Sequence, residues 1–378
     1  KIGVASNSHR AINELLLATE KSAAGMNFRF SGQKKSTDGR PESRFQNPDH
    51  DADGGRFISN VDSVRDMDVE GNQLIAGTAW LFCNEKLDQK LDYLFIDEAG
   101  QVALGNLVAM GVSSKNIVLI GDQMQLSHPT PGIHPGESGS STLDYMLAGE
   151  DTVSSGKGIF LERSYRMHPS ICDFISEAVY DGRLEADPDN ENQKIVKGDD
   201  SDVNMPEYGI CFLEVEHSDS SQSSEAEASI VKELVDDLLT QQHRDKSGQL
   251  HQITYQDIMV VAPYNAQVNL IKTKLPPEAR VGTIDLFQGQ EAPVTIVSMT
   301  TSNREELPRF FEFLYSRNRL NVALSRAKCL DIVIASGDLL TIACRTIKQM
   351  ELVNTLCWAR DYSLGGTTGL EESRTPGV

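Results

Sequence analysis

Two carboxylates stand side by side where an apolar run ends: "LDYLFIDEAGQ", Leu91 to Gln101, carries Asp97 and Glu98 directly after Ile96. Adjacent acids at a strand end can divide the work of a hydrolytic site. One holds a hard divalent cation while the other takes a proton from water. On its own, the pair reads as readily as two acids facing solvent. Soon after, "LIGDQMQL" delivers Gly121, Asp122 and Gln125. A glutamine can hydrogen-bond a phosphate oxygen or an attacking water without adding charge, although Asp122 alone is equally a turn cap. In "SYRMHP", Tyr165 offers a flat face for a base, and Arg166 offers a cation for charge building on a transferred phosphoryl group; equally, the pair reads as a packed aromatic and a surface arginine. His168 has no second histidine at ligand spacing and reads as structural. In the segment "VGTIDLFQGQEAPVTIVSMT", Thr283 could touch a phosphate backbone and Glu291 could bind a ribose hydroxyl, with Gly289 permitting close backbone approach; the plainer alternative is a turn between strands. Finally, "SRNRLNVALSRAK" ends in Arg326, a second cation that could face phosphate; the plainer alternative is a solvated basic helix face.

The elements that must position these residues alternate between strand and helix. "KIGVASNSHRAINELLLATE" reads as strand, polar turn and helix, with Ser6, Asn7 and Ser8 all good N-cap types. The strands "NQLIAGTAWLF" (72–82), "LDYLFIDEAG" and "NIVLIGDQMQL" follow, with a helical "QVALGNLVAMGV" between the last two. Such alternation predicts parallel sheets with right-handed crossovers, and ligands bind such sheets beyond the carboxyl ends of the strands. Residues 30–71 contain almost no apolar residue through "SGQKKSTDGRPESRFQNPDHDADGGR" and read as an insertion or mobile loop too poor in apolar side chains to build a core. "HPTPGIHPGESGSS" (128–141) reads as loop, with a domain boundary after it. In the second half, Pro169 suits a first helical turn, with Ile171, Ile175 and Val179 on one face. "SEAEASIVKELVDDLLT" is an amphipathic helix with a Ser224–Glu227 capping box. Strands are expected at 257–264, 294–301 and 330–337. The expected organisation is a first α/β domain over 1–150, a second over 151–360 and a tail over 361–378.

The chain has 378 residues, 39% hydrophobic and 24% charged, which suits globular domains. No apolar run is long enough to span a bilayer, so no membrane partner is expected. Its six cysteines include no C-x-x-C pair, which argues against zinc, iron–sulfur and disulfide frameworks and favours a cytoplasmic location. The net charge of −20 argues against a broad DNA-coating surface while leaving room for a narrow basic track. Acidity concentrates in "EADPDNENQ" (185–193) and "KGDDSDVN" (197–204), which read as solvated loops. Basic residues gather around 304–328, from Arg304 and Arg309 to Arg326 and Lys328.

Taken in order, "SNSH", "GTAW", "IDEAG", "GDQMQL", "SYRMHP", "GTIDLFQGQE" and "NVALSRAK" resemble the successive motifs of superfamily 1 helicases. The "SYRMHP" and "FQGQE" forms are most similar to the 5′→3′ branch, superfamily 1B. "IDEAGQ" with its long Pro/Gly loop resembles bacterial helicases fused to a RecB-like nuclease. The resemblance implies two RecA-like P-loop NTPase domains with ATP in the cleft between them. Asp97 would bind Mg²⁺, Glu98 would activate water, and Gln125 would sense the γ-phosphate, with Gly121 and Asp122 in the same nucleotide-binding turn. Tyr165 would stack on adenine, Glu291 would contact the ribose beside Gly289, and Arg166 and Arg326 would be paired arginine fingers. Asn7, Ser8, Thr78, Tyr264 and Thr283 would line a single-strand track. The implied activity is ATP-dependent 5′→3′ translocation on single-stranded DNA, with RNA as a possible substrate.

One part of the family pattern is missing. No G-x-x-x-x-G-K-[ST] phosphate loop occurs; "SSGKGIF" and "GQKKST" lack its spacing. Since Lys1 begins mid-strand, the expectation is a fragment whose upstream segment in the parent chain supplies that loop and could also carry a nuclease domain. The fragment alone would hydrolyse little or nothing. Two alternatives stay open: a binding module that holds nucleic acid or a partner without turnover, and the helicase part of a nuclease–helicase fusion. No Glu-x-Lys occurs, so a D…E-x-K nuclease site cannot be assembled within these residues.

Overall fold

The computed structural model describes residues 1–50, 54–126, 135–198, 205–218, 220–302 and 307–367. The chain divides into two compact units, Lys1–Glu150 and Asp151–Val378.

The first unit is built on six strands: β1 (Ile2–Ala5), β2 (Gly32–Lys35), β3 (Ile58–Val61), β4 (Leu74–Gly77), β5 (Leu91–Ile96) and β6 (Ser114–Leu119). They form one sheet in the order β3-β2-β4-β1-β5-β6, and every pairing is parallel. Its helices are α1 (His9–Gly25), α2 (Ala79–Phe82), α3 (Leu104–Gly111) and α4 (Thr142–Leu147). Among the three N-cap candidates of the first turn, Ser8 is the cap: its hydroxyl accepts from the Ala11 amide. Ile12 and Leu16 then bury one face of α1 against Val4, Leu74 and Ala76.

Two readings of this unit need correction. Residues 30–71 are not an insertion without a core. They contribute β2 and β3 to the main sheet, and Phe45, Ile58, Met67 and Val69 are buried. Composition misled here because side chains elsewhere make this polar segment structural. The carboxylate of buried Glu20 on α1 accepts from Asn47 Nδ2 and from the amides of Arg56, Phe57 and Ile58, at 2.7–3.0 Å. Those donors would otherwise lack partners where the chain enters β3. Likewise, 72–82 is not one strand: β4 stops at Gly77 and a helical turn begins at Ala79. Most of the expected 128–141 loop lies outside the described residues. Within the remainder, Gly136–Gly139 form a 3₁₀ turn.

The second unit opens with a two-residue pairing of β7 (Arg163–Ser164) and β8 (Glu185–Ala186). Helix α5 (Pro169–Val179) lies between them, with Ile171, Ile175 and Val179 buried as its spacing predicts. A small antiparallel sheet joins β9 (Lys194–Val196), β11 (Gln242–Arg244) and β12 (Leu250–Gln252). The main sheet contains β10 (Gly209–Glu214), β13 (Ile258–Val261), β14 (Arg280–Gly282), β15 (Ala292–Ser298) and β16 (Ala327–Ala335). Its order is β10-β16-β15-β13-β14, again wholly parallel. Its other helices are α6 (Glu225–Leu238), α7 (Asn265–Lys274), α8 (Leu307–Leu314), α9 (Arg317–Leu324) and α10 (Ile347–Thr367).

Both sheets are thus the α/β, parallel architecture read from the sequence. Residues 361–367, expected to begin a tail, are instead the end of α10, and 368–378 lie outside the described residues. Half of the α6 capping box is present: Ser224 Oγ accepts from the Glu227 amide. The Glu227 carboxylate points instead into the core, accepting from Ser298 Oγ at 2.6 Å and the Thr300 amide at 2.8 Å, with His217 Nε2 also 2.8 Å away. On β16, Asp331 is wholly buried opposite Thr295 of β15, and neither carboxyl oxygen has a hydrogen-bond partner among the described residues. Burial there pushes its carboxyl well above the usual range, because the charged form would lack solvation.

Candidate functional site

In the first unit every candidate residue follows the carboxyl end of a strand. Asn7 and Ser8 follow β1, Thr78 follows β4, Asp97 and Glu98 follow β5, and Gly121, Asp122 and Gln125 follow β6. Backbone bonds set their heights along the sheet. The Asp97 amide donates to Ala5 O at 2.8 Å, and Ala99 N donates to Ile120 O at 2.9 Å. Two glycines let the β5 and β6 turns touch. A Cβ on Gly100 would stand 2.7 Å from Asp122 O, and one on Gly121 would stand 2.7 Å from Ala99 N. No side chain fits at either place. The Asn7 side chain donates to Gln101 O at 2.5 Å and ties the β1 turn to the same cluster. Thr78 begins α2 without a side-chain cap bond, whereas the Ser8 hydroxyl is engaged as a cap.

Within this cluster Glu98 adopts φ 55°, ψ 42°, a left-handed conformation that a non-glycine residue holds only at a cost. Asp97 is half-buried; Oδ1 accepts from the Glu98 amide at 3.0 Å, and no cation pairs with it among the described residues. Burial raises its carboxyl above the usual range, with Glu14 adding to the rise, and the Glu98 amide only partly offsets this. An acid in that condition gains from a metal ion. Among the described residues there is no cluster of three or more metal-ligating side chains. Magnesium does not require one, because it binds through one or two carboxylates together with water and phosphate oxygens. Asp122 is turned to local work, accepting from Met124 N at 2.9 Å and from Gln125 Nε2 at 3.0 Å. Buried Met124 and Leu126 anchor that turn on either side of Gln125.

In the second unit the candidates separate into two groups. Glu291 lies just before β15 and Arg326 just before β16, at the amino edge of the sheet. Arg166 joins them: Nε donates to Glu291 Oε2 at 2.8 Å and Nη1 donates to Ser325 O at 3.1 Å. Lys328 holds the other carboxylate oxygen of Glu291 at 2.7 Å. Burial would raise the Glu291 carboxyl, but the bonds and charges of Lys328 and Arg166 outweigh it, and the group titrates below its usual range. Arg326 is only 2% exposed and its Nη1 donates to Gln290 O at 3.4 Å. Gly289, at φ 69°, supplies the left-handed turn that leads into Gln290 and Glu291. Tyr165 is 64% exposed, a free aromatic face beside Arg166.

The other group, Tyr264 and Thr283, follows the carboxyl ends of β13 and β14. Thr283 is half-exposed and starts a 3₁₀ turn without a side-chain cap bond. The ring of Tyr264 is buried, with its centroid 5.6 Å from that of Phe313.

Three residues that hold this site were not singled out from the sequence. Asn190 Nδ2 donates to Ser164 O and Met167 O, both at 3.0 Å, and Gln193 Nε2 donates to Arg166 O at 2.8 Å. Both sit in "EADPDNENQ", which therefore is not merely a solvated loop; most of "KGDDSDVN" lies outside the described residues. Lys328 was visible only as one of several basic residues. It acts through its ammonium on Glu291 and through its carbonyl, which accepts from His168 N at 2.8 Å. His168 is structural as expected: Nδ1 accepts from Ser170 N to cap α5, and its ring stacks on Tyr208 at 4.1 Å. Arg304 lies outside the described residues.

The model of a family described as AAA domain matches residues 144–338, just over half of the chain. The chain is 30% identical over 306 residues to DNA polymerase alpha-associated DNA helicase A of Schizosaccharomyces pombe, an overlap of 75% of this chain and 41% of that protein. It is 28% identical over 282 residues to DNA-binding protein SMUBP-2 of Mesocricetus auratus, covering 71% of this chain and 26% of that protein. It is 25% identical over 317 residues to DNA replication ATP-dependent helicase/nuclease JHS1 of Arabidopsis thaliana, covering 79% and 22% respectively. The chain thus spans less than half the length of each of these relatives. By the matched model, and by its ordered set of motifs, the chain belongs to this AAA domain family among the superfamily 1 helicases.

Proposed function

We propose that this chain is the motor part of an ATP-dependent helicase that translocates 5′→3′ on single-stranded DNA. The observation that carries this reading is the half-buried Asp97, without a cationic partner among the described residues, beside a left-handed Glu98 at the carboxyl edge of a parallel sheet. Asp97 would hold Mg²⁺, which supplies a positive charge for the β- and γ-phosphate oxygens of ATP. Glu98 would accept the proton of the attacking water, and Gln125 would orient that water or the γ-phosphate. In the second unit, Tyr165 would stack on the base and Glu291 would take the ribose. Arg166 would leave Glu291 to meet charge on the transferred phosphoryl, with Arg326 as the second arginine. Asn7, Ser8, Thr78, Tyr264 and Thr283 would follow the strand. The phosphate-binding lysine would come from sequence outside these 378 residues, together with any nuclease domain. Six thiols, none of them in a disulfide, fit a reducing cytoplasm.

The test is ATP hydrolysis by the longer polypeptide carrying a phosphate loop, with and without single-stranded DNA. Stimulation by DNA that is lost in Glu98→Gln supports the motor. Hydrolysis indifferent to DNA, or retained in Glu98→Gln, overturns it. The lack of a G-x-x-x-x-G-K-[ST] in these residues favours one second reading, a module that binds nucleic acid without turnover. DNA binding without hydrolysis by that polypeptide would select it.

A further inference from the structure

A cavity of about 420 Å³ opens in the second unit, a size usual for small-molecule sites. Its walls include His168, Ser170, Glu191, Lys194, Tyr208 and Arg244. None of the residues assigned above to the nucleotide or to the strand lines it. The antiparallel pairing of β11 with β9 sets Arg244 directly opposite Lys194. Like charges so placed repel each other. Glu207 answers Lys194, with a carboxylate oxygen 2.6 Å from the ammonium. The half-buried Arg244 guanidinium has neither an ion pair nor a hydrogen bond among the described residues. Glu191, the acid in the wall, is exposed on the turn 188–192.

A second donor follows from the state of His168, which is only 5% exposed. Burial brings its ring down to about 4, so it is uncharged at physiological pH. Its Nδ1 accepts from the Ser170 amide at 3.1 Å, so the one ring proton sits on Nε2. That N–H has no partner among the described residues. A buried donor without an acceptor costs the free energy of its lost hydration. The Ser170 hydroxyl, in the same wall, has no bonded partner among the described residues either. An imidazole N–H, a hydroxyl and a guanidinium thus offer protons in one cavity. Such a set suits an anion with several oxygens, and a guanidinium can take two oxygens of a phosphate at once.

We propose that this cavity binds a phosphate group, carried free or as a small monoester, through Arg244, His168 Nε2–H and the Ser170 hydroxyl. The site is separate from the nucleotide residues but shares main chain with them. His168 lies two residues beyond Arg166, and Gln193, next to Lys194, donates to Arg166 O at 2.8 Å. A ligand held there therefore touches the segment that carries the arginine gripping Glu291.

The test is calorimetric titration of inorganic phosphate and of ribose 5-phosphate into the 378-residue chain, as wild type, Arg244→Gln and Arg166→Gln. Wild type should show a saturable site that survives Arg166→Gln. Arg244→Gln should weaken it about tenfold, as loss of one charged hydrogen bond does. Without ligand, Arg244→Gln should melt no lower than wild type, because it removes the repulsion with Lys194, so weaker binding would not come from unfolding. Tighter binding of ribose 5-phosphate would support the site with a monoester as its ligand, and tighter binding of phosphate would support it with the free anion. No saturable binding by wild type, or equal affinity in Arg244→Gln, would overturn the site. Binding lost in Arg166→Gln and kept in Arg244→Gln would place the phosphate at the nucleotide residues and overturn it as well. The motor reading stands or falls separately, on DNA-stimulated hydrolysis.

Discussion

The two units use the same kind of sheet in opposite ways. In the first, all the candidate chemistry follows the carboxyl ends of four strands, where diverging loops leave room for ligands. In the second, the residues assigned to the nucleotide cluster at the amino edge of β15 and β16, while Tyr264 and Thr283 follow the carboxyl edge of β13 and β14. These two groups are separated by roughly the length of a seven-residue strand, about 23 Å at 3.3 Å per residue. The support also differs. The first unit sets its site by backbone contact between glycine-bearing turns; the second does so by side chains, with Glu291 gripped between Arg166 and Lys328. A parallel sheet therefore fixes where a site can be placed on its edges and leaves the means of holding it to local sequence.

The comparison can be broken from either side. The largest expected effect is in the second unit. In the polypeptide that hydrolyses ATP, Arg166→Ala should lower kcat by about 10³-fold, in line with an arginine finger. A kcat within a few-fold of wild type would leave Arg166 as a clamp on Glu291 alone. Glu98→Gln, in the first unit, should cost about 10²-fold or more in kcat with KM for ATP little changed, as loss of a general base does. A rise in KM with kcat intact would make it a binding residue. Gly121→Ala should destabilise the first unit by about 1–3 kcal/mol by driving a methyl against the Ala99 amide. Calorimetry should show that transition lowered and the transition of the second unit unmoved. The smallest effect is Asp331→Asn. The folded carboxyl titrates above its unfolded range, so the native state binds the extra proton, and wild-type stability falls as pH rises from about 4 toward the folded value. The amide should flatten that fall in Tm, and an unchanged pH profile would mean that Asp331 is reached by water.

Much of this could be read in advance, for identifiable reasons. Strands such as 91–96, 116–119 and 294–298 lie in apolar runs bounded by polar turns, so they were visible, and with them the positions of Asp97, Gln125 and Glu291 beside them. What could not be read depends on distant partners. Nothing in "GQKKSTDGR" announces a central strand, since β2 is held between β3 and β4, and its lysine is buried by residues around it. Nothing local marks Asn190 or Gln193 either. Their amides are valuable only because the carbonyls of Ser164, Arg166 and Met167 arrive beside them. Burial of Arg326 and Tyr264 likewise follows from packing across the sheet, which residue type alone does not convey.

The close approach of Gly100 and Gly121 also bears on movement. With main chain resting directly on main chain, no rotamer change can absorb a displacement between the turn that carries Glu98 and the turn that carries Gln125. The two loops therefore move as one body. A displacement at Glu98 therefore bears on the turn that carries Gln125 through main-chain contact.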